Sequence, residues 1–297
     1  MKRLMIAGIA GLCAAVTFGL ESANVVGYNN VNFNDSEDGG TRSPIFGMSF
    51  VPVSGVKAKL GDFKPADGEF ACETDYIQVI NPTTLINDRT FTYVDKTTAD
   101  AVAADNDLEE GAFDEFIGWW DADVGVFEDG GLVNDYLVTP GEGFMGAFDS
   151  GNVINFTSSG SAPLESTSFV PNVDATRSPI FCSYIPREIP LKYLAPVNGQ
   201  FACETDYIQV INATTLINDR TFTYVDKTTA DAVAADNDLE EGAFDEFIGW
   251  WDADVGVFED GGLVNDYPVM PGSAFMGAFD AGAEITFQLP SSTATLD

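Results

Sequence analysis

Apolar and polar positions alternate over short stretches along most of the chain, and no long stretch follows the helical period of about 3.6 residues. β-Branched and aromatic residues concentrate in these stretches, and Asn, Asp, Gly and Pro separate them. Strands are therefore predicted at residues 25–33, 44–53, 76–80, 90–94, 116–120, 136–138, 144–148 and 153–157. Many short strands separated by turns are typical of an antiparallel β-sandwich or barrel.

One short helix is predicted at residues 98–105, where alanines at alternate and adjacent positions favour helical conformation. Thr97 is expected to cap the first turn, because Asp100 follows it at the spacing of a capping box. The rest of the chain is expected to be strands and turns.

The same pattern occurs twice. Residues 70–136 return as residues 201–267 with a single change, from Pro82 to Ala213. Shorter matches flank this block, at residues 41–46 and 176–181 and at residues 140–148 and 271–279. A unit of roughly 120 to 135 residues has the size of a domain rather than of one solenoid turn. The sequence therefore predicts a tandem duplication of two antiparallel β-sandwich or barrel-like domains.

A stretch rich in Ser, Gly and Pro separates the two copies, which predicts a linker there. We divide the chain into a signal peptide at 1–23, a first β domain at 24–157, a linker at 158–165 and a second β domain at 166–297. Exposed and buried residue types are copied equally well, so the identity indicates recent copying and does not single out any residue as functional.

The first residues have the features of a secretory signal peptide. Lys2 and Arg3 precede an apolar run at 4–16 that is too short to span a bilayer. Small residues follow, and cleavage is expected near Ala23, with Gly19 as the second choice. No later segment has the length of a membrane span. The protein is therefore expected in the periplasm, at the cell surface or in the medium.

Acidic residues dominate the charge of the chain. It contains 13 Lys plus Arg against 47 Asp plus Glu and no histidine, for a formal net charge of -34. Such a field disfavours nucleic acid and anionic lipid as partners. Two interpretations of the acidity remain open: it keeps a secreted protein soluble, or it binds divalent cations.

The absence of histidine removes Ser–His–Asp and Cys–His catalysis and imidazole-ligated zinc. A glycosidase needs only two carboxylates, but this chain has so many that no pair stands out.

Three cysteines follow the predicted signal peptide. Cys72 and Cys203 are counterparts in the two copies, whereas Cys182 takes the place of Gly47. A bridge between Cys182 and Cys203 is possible in the second copy and would stabilise it by about 3 kcal/mol. Cys72 would then stay unpaired.

Adjacent tryptophans followed by an aspartate are the best candidates for ligand binding, and they comprise Trp119, Trp120, Asp121, Trp250, Trp251 and Asp252. Neighbouring residues of a strand face opposite sides, so at most one indole of each pair is expected in the core. An exposed indole beside a carboxylate could stack on a sugar ring. Alternatively, the loop at 128–131 or a neighbouring subunit covers the second ring.

Acidic loops after the predicted helix are candidate calcium sites, with ligands from Asp105, Asp107, Glu109, Asp236, Asp238 and Glu240. Oxygen-bearing side chains at alternate positions could converge on Ca²⁺, which takes about six to eight oxygen ligands. The loop is not an EF-hand, because Glu110 occupies the position that requires glycine and Phe116 the position of the closing glutamate. The alternative is a solvated acidic loop.

Three short motifs, Asn24-Val-Val-Gly-Tyr28, Gly118-Trp-Trp-Asp121 and Pro140-Gly-Glu-Gly-Phe144, carry a family resemblance. With them the chain resembles secreted tandem-repeat proteins of bacteria of the Lentisphaerae and Kiritimatiellae type. The second copy departs from the first motif, with Phe169-Val-Pro-Asn172 in its place. The resemblance implies secretion and a β-rich module without an established activity.

These observations favour a non-enzymatic secreted or cell-surface structural or adhesion protein, with other envelope or matrix components as partners. A carbohydrate-binding protein that holds polysaccharide at the paired tryptophans is the alternative. A glycosidase or lyase is the third hypothesis.

Overall fold

The computed structural model describes residues 26–33, 43–48, 58–139, 141–149, 153–162, 166–212, 217–280, 282–291 and 295. The predicted signal peptide at 1–23 lies outside the described residues, as does Cys13. The strand predicted at 44–53 is described only up to residue 48. We call residues 26–162 the first half and residues 166–291 the second half.

The described residues of the first half form ten short strands and one α-helix. The strands are β1 (Val26–Phe33), β2 (Ile45–Gly47), β3 (Ala58–Lys59), β4 (Phe63–Pro65), β5 (Tyr76–Ile80), β6 (Asn87–Val94), β7 (Gly118–Asp121), β8 (Leu137–Val138), β9 (Gly143–Ala147) and β10 (Ile154–Ser161). Helix α1 is Lys96–Asp105, and single 3₁₀ turns occupy Leu60–Asp62 and Asp114–Phe116.

The described residues of the second half have the same order of strands and α-helix, with one further 3₁₀ turn. Its strands are β11 (Thr167–Phe169), β12 (Ile180–Cys182), β13 (Ile189–Pro190), β14 (Ala195–Pro196), β15 (Tyr207–Ile211), β16 (Asn218–Val225), β17 (Gly249–Asp252), β18 (Pro268–Val269), β19 (Ala274–Ala278) and β20 (Phe287–Leu289). Helix α2 is Lys227–Asp236, and 3₁₀ turns occupy Val173–Ala175, Leu191–Tyr193 and Asp245–Phe247.

Every strand pairing in the part of the chain that the structure describes is antiparallel. Each half forms a five-stranded sheet, a three-stranded sheet and a two-stranded ribbon. Their strand orders in the first half are β2-β9-β5-β6-β7, β1-β10-β4 and β3-β8. In the second half they are β12-β19-β15-β16-β17, β11-β20-β14 and β13-β18. The predicted mainly β, antiparallel and sandwich-like class is thereby confirmed.

Aromatic side chains fill the space between the larger sheets. In the first half, Phe63 and Phe156 stack with their ring centroids 4.6 Å apart, and Phe46 lies 5.7 Å from Phe63. All three rings are fully buried. In the second half, Phe181 and Phe287 lie 5.2 Å apart, which matches the 5.4 Å between Phe46 and Phe156 in the first half. Each half therefore has its own large core.

Helix α1 begins two residues earlier than predicted, and its cap is Asp95 instead of Thr97. The Oδ1 atom of Asp95 accepts a hydrogen bond from the Thr98 N–H at 2.7 Å. Its Oδ2 atom accepts one from the Gly68 N–H. The expected Thr97 cap was wrong because a buried carboxylate with two backbone partners stabilises this start better than an exposed hydroxyl.

Several segment boundaries also differ from the prediction by one to four residues, and two of the differences change the local structure. The segment 116–120 is not one strand: the chain turns at Asp114–Phe116 before β7 starts at Gly118, whose φ of +148° a side chain would rarely adopt. Strand β10 continues to Ser161, so the linker predicted at 158–165 begins inside a strand.

Candidate functional site between the two halves

The adjacent tryptophans lie on opposite faces of β7, and both are buried. Trp119 is 0% exposed in the main core, where its Nε1–H donates to the Phe63 carbonyl at 2.6 Å. Trp120 is 2% exposed and packs between Val94 and Phe127 in a second cluster beneath α1. Its Nε1–H donates to the Phe116 carbonyl at 2.9 Å. Trp250 and Trp251 are buried to the same degree.

The loop after β7 covers the second indole. The Asp121 N–H donates to the Gly131 carbonyl and the Val133 N–H to the Trp119 carbonyl, at 2.8 and 2.7 Å, so the chain folds back along the strand. Asp121 itself pairs with Arg89 at 3.2 Å, and Asp252 pairs with Arg220 at 3.7 Å. This burial removes the exposed indole face that the proposed sugar stacking requires.

The predicted calcium ligands lie at the C-terminal end of α1. Asp107 has a left-handed φ of 56°, and the N–H groups of Asp107 and Leu108 donate to the carbonyls of Ala104 and Ala103. These bonds form a Schellman motif, which ends a helix and sends successive side chains in different directions. Asp105, Asp107 and Glu109 are exposed, as are Asp236, Asp238 and Glu240.

Within the described ranges, no group of three or more Asp, Glu or Cys side chains is placed to hold a metal ion. The convergence of Asp105, Asp107 and Glu109 expected from the sequence is therefore not seen in this loop. Carboxylates spaced along a helix terminus point away from one another, unlike those of a loop that folds around a cation.

The three described thiols are free, so the Cys182–Cys203 bridge expected as a possibility is not formed. Cys182 points toward the first half, where its Sγ lies 3.6 Å from the Met48 carbonyl. Cys203 packs in the cluster beneath α2. Burial raises the pKa of Cys72 and Cys203 to about 11 and that of Cys182 to about 12. Protonated thiols of this kind are poor nucleophiles at neutral pH.

Sequence reasoning missed a second buried carboxylate, Asp75. Its Oδ2 atom accepts from the Ala71 N–H and its Oδ1 atom from the Asp149 N–H, both at 2.8 Å. Asp206 makes the same two bonds in the second half. These carboxylates hold a turn to a distant strand end, and only the distant partner, which local spacing does not reveal, distinguishes them from solvated aspartates.

The two halves meet along strands β2 and β12. The Gly47 N–H donates to the Gly272 carbonyl at 3.0 Å, and the Cys182 N–H donates to the Gly141 carbonyl at 2.9 Å. Gly47 corresponds to Cys182 and Gly141 to Gly272, so the two bonds are counterparts. Such reciprocal pairing is the geometry of a two-fold interface within one chain.

A small apolar cluster is shared by both halves at this contact. Ile45 and Ile80 from the first half pack with Ile180, Cys182 and Ala274 from the second. A Cβ atom at Gly47 would lie 2.1 Å from the Cys182 Sγ, so the small residue on one side makes room for the thiol on the other.

A cleft of about 230 Å³ opens beside this cluster. Both halves contribute to its walls, through Val79, Ile80, Pro82, Thr139, Gly141, Glu142, Gly143, Val170, Pro171, Val173, Pro179 and Ile180. Glu142 is the one ionisable side chain among these lining residues. Its Oε2 atom accepts from the Thr139 N–H at 2.8 Å, and burial raises the pKa of its carboxyl.

Among the described helices, none is long and apolar enough to cross a membrane. No protein-family model, curated protein or solved structure matches the chain.

Proposed function

We propose that the protein is a non-enzymatic structural or adhesion component of the cell exterior, whose partners are other envelope or matrix components. The observation that carries the proposal is the pairing of the halves through β2 and β12, which leaves the same exposed residues outward on both. Ile86 and Ile217, for example, are each 66% exposed at equivalent hairpins. One chain therefore presents each such exposed surface twice, once on each half.

Two equivalent surfaces on one chain suit attachment to a repetitive layer. After one half binds, the second binds from a high effective concentration, which increases retention without new kinds of contact. The net charge of -34 supports a location outside the cell, since it keeps the chain solvated and disfavours nucleic acid and anionic lipid as partners.

The roles of the buried carboxylates also support a structural protein. Asp75 and Asp95 accept hydrogen bonds from backbone N–H groups of segments far apart in sequence, and their counterparts Asp206 and Asp226 do the same. These charges stabilise turns and helix starts, which serves a module that must persist outside the cell.

Cell fractionation with N-terminal sequencing tests the location. We expect mature protein that begins near Asn24 and is recovered from the periplasm, the surface or the medium. A cytoplasmic product that retains Met1 would contradict secretion.

Sedimentation with isolated cell envelopes tests the attachment. The full chain is expected to cosediment with the envelopes and to remain bound during washing. The retention of the double variant Ile86→Ser with Ile217→Ser is measured in parallel, and it separates the contribution of the repeated hairpins from that of other surfaces. Complete release of the wild-type chain in the first wash would contradict the adhesion role.

A further inference from the structure

We propose that the cleft between the halves binds a small apolar molecule that carries one primary ammonium group. The apolar walls would take the body of this ligand, and the carboxylate of Glu142 would receive its ammonium. This site goes beyond the proposed structural function, because it lies at the contact between the halves and does not depend on the repeated outer surfaces.

The walls of the cleft are apolar on both sides. Val79, Ile80 and Pro82 come from the first half, and Val170 and Pro171 face them from the second. Burial of a hydrocarbon group between such walls is favourable because it removes apolar surface from water. The hydrogen bond from the Ser178 N–H to the Pro82 carbonyl, at 2.8 Å, holds the two walls together.

Glu142 supplies the charge. Its hydrogen-bonding partner is Thr139, and among the described residues no Lys or Arg forms an ion pair with it. Burial without a cation raises the pKa of the Glu142 carboxyl, whereas a bound ammonium would favour its ionised form. The cleft therefore selects a cation over a neutral molecule of the same shape.

Differences between the otherwise similar halves coincide with this cleft. Pro82 is the one residue of the block 70–136 that changes, to Ala213, and Glu142 corresponds to Ser273. Both Pro82 and Glu142 line the cleft. The site is consequently expected once per chain, although the sequence is duplicated.

The volume limits the ligand to a small one. Pockets for drug-sized ligands measure about 300 to 1,000 Å³, and this cleft measures about 230 Å³. A single ring or a short branched chain with an amine suits this space better than a disaccharide does.

Calorimetric titration of the full chain with benzylammonium tests the proposal, with benzyl alcohol as the neutral isostere and ammonium chloride as the control for general attraction of cations. We expect one benzylammonium per chain, at least about tenfold weaker binding of benzyl alcohol, and no saturable binding of ammonium. Ionic strength is held constant, because the acidic surface attracts any cation.

Two variants locate the site. Glu142→Gln keeps an acceptor for the Thr139 N–H and is expected to weaken benzylammonium binding at least about tenfold, whereas Glu128→Gln removes an equal charge on an exposed loop and should leave it unchanged. Circular dichroism and thermal unfolding establish that both variants are folded. Absence of saturable benzylammonium binding, two sites per chain, equal affinity for benzyl alcohol, or wild-type affinity in Glu142→Gln would each overturn the proposal.

Discussion

Gly47 and Cys182 are counterparts in the two halves, and they face each other across the contact between them. An equal pair of larger residues would collide near the two-fold axis, so one side must be small. The local sequence around either residue does not show this requirement, because it arises from the partner half. The difference between the copies is therefore a packing solution at the interface.

A mutant cycle at this pair tests the interpretation. Gly47→Ala is expected to lower the free energy of unfolding by about 1 to 3 kcal/mol, because the added Cβ overlaps the Cys182 thiol. In a Cys182→Gly background the same change should cost much less, because the thiol is gone. Urea unfolding of the four proteins measures the coupling, and equal costs in both backgrounds would show that the residues do not interact.

Glu142 is the second residue whose surroundings come from both halves. Burial raises the pKa of its carboxyl, so the native state binds a proton at Glu142 more tightly than the unfolded chain does. The stability linked to this shift is complete below the pKa of Glu142 in the unfolded chain and is lost as the pH rises through its pKa in the native state.

Glu142→Gln is consequently expected to raise the thermal midpoint, and to raise it more at about pH 8 than at about pH 5. Glu128→Gln is the matched control, since it removes the same charge from an exposed position and reports general repulsion. A rise that is equal for both variants at both pH values would assign the effect to net charge instead of to the buried carboxyl.

Among the elements, α1 is followed by an acidic segment whose composition suggested a calcium site, and in the structure this segment forms the end of the helix. The acidic segment that follows it ends the helix through Asp107 in the left-handed conformation, where glycine is the usual residue. A carboxylate at this end also faces the negative end of the helix dipole. The loop thus carries strain and repulsion at one position per half.

Asp107→Gly is expected to stabilise the protein by about 1 kcal/mol, and Asp238→Gly by a similar and additive amount, because glycine adopts this φ without steric cost. Asp105→Gly, at the last residue of the helix, where φ is not left-handed, should not stabilise the protein and serves as the control. Thermal unfolding measures both changes. A midpoint that falls in Asp107→Gly would refute the strained-turn interpretation.

The same variants separate this account from calcium binding. At constant ionic strength, the rise from Asp107→Gly is expected with or without calcium. If calcium raises the wild-type midpoint and Asp107→Ala with Asp238→Ala abolishes the rise, the loops hold a cation after all.

At the scale of the whole molecule, net charge opposes compaction. With a formal charge of -34, the folded chain repels itself more than the expanded unfolded chain does. Exposed ion pairs such as that between Lys96 and Asp100 offset little of this repulsion.

The thermal midpoint is therefore expected to rise by several degrees as sodium chloride increases from about 10 mM to about 150 mM, because the Debye length falls from about 30 Å to about 8 Å. Sodium chloride and potassium chloride should act equally. A midpoint that stays level or falls with salt would show that long-range repulsion does not limit stability.

The sequence by itself determined the strand-rich class, the turns and the presence of two matching copies. These properties depend on alternation and on residue types within a few positions, and both are local. The segment 76–80 was predicted correctly as a strand, and helix α1 was predicted with its end at Asp105. The candidate cleft was not predicted from the sequence, since its walls lie about a hundred residues apart.

Only the tertiary structure decided what surrounds each side chain. It placed Trp120 beneath a loop, joined Asp95 to Gly68, separated Cys182 from Cys203, and brought Glu142 to a cleft between the halves. Each outcome depends on burial and pairing between segments distant in sequence. Such contacts depend on how whole sheets and halves pack, and the alternation of residue types along the sequence does not specify that packing.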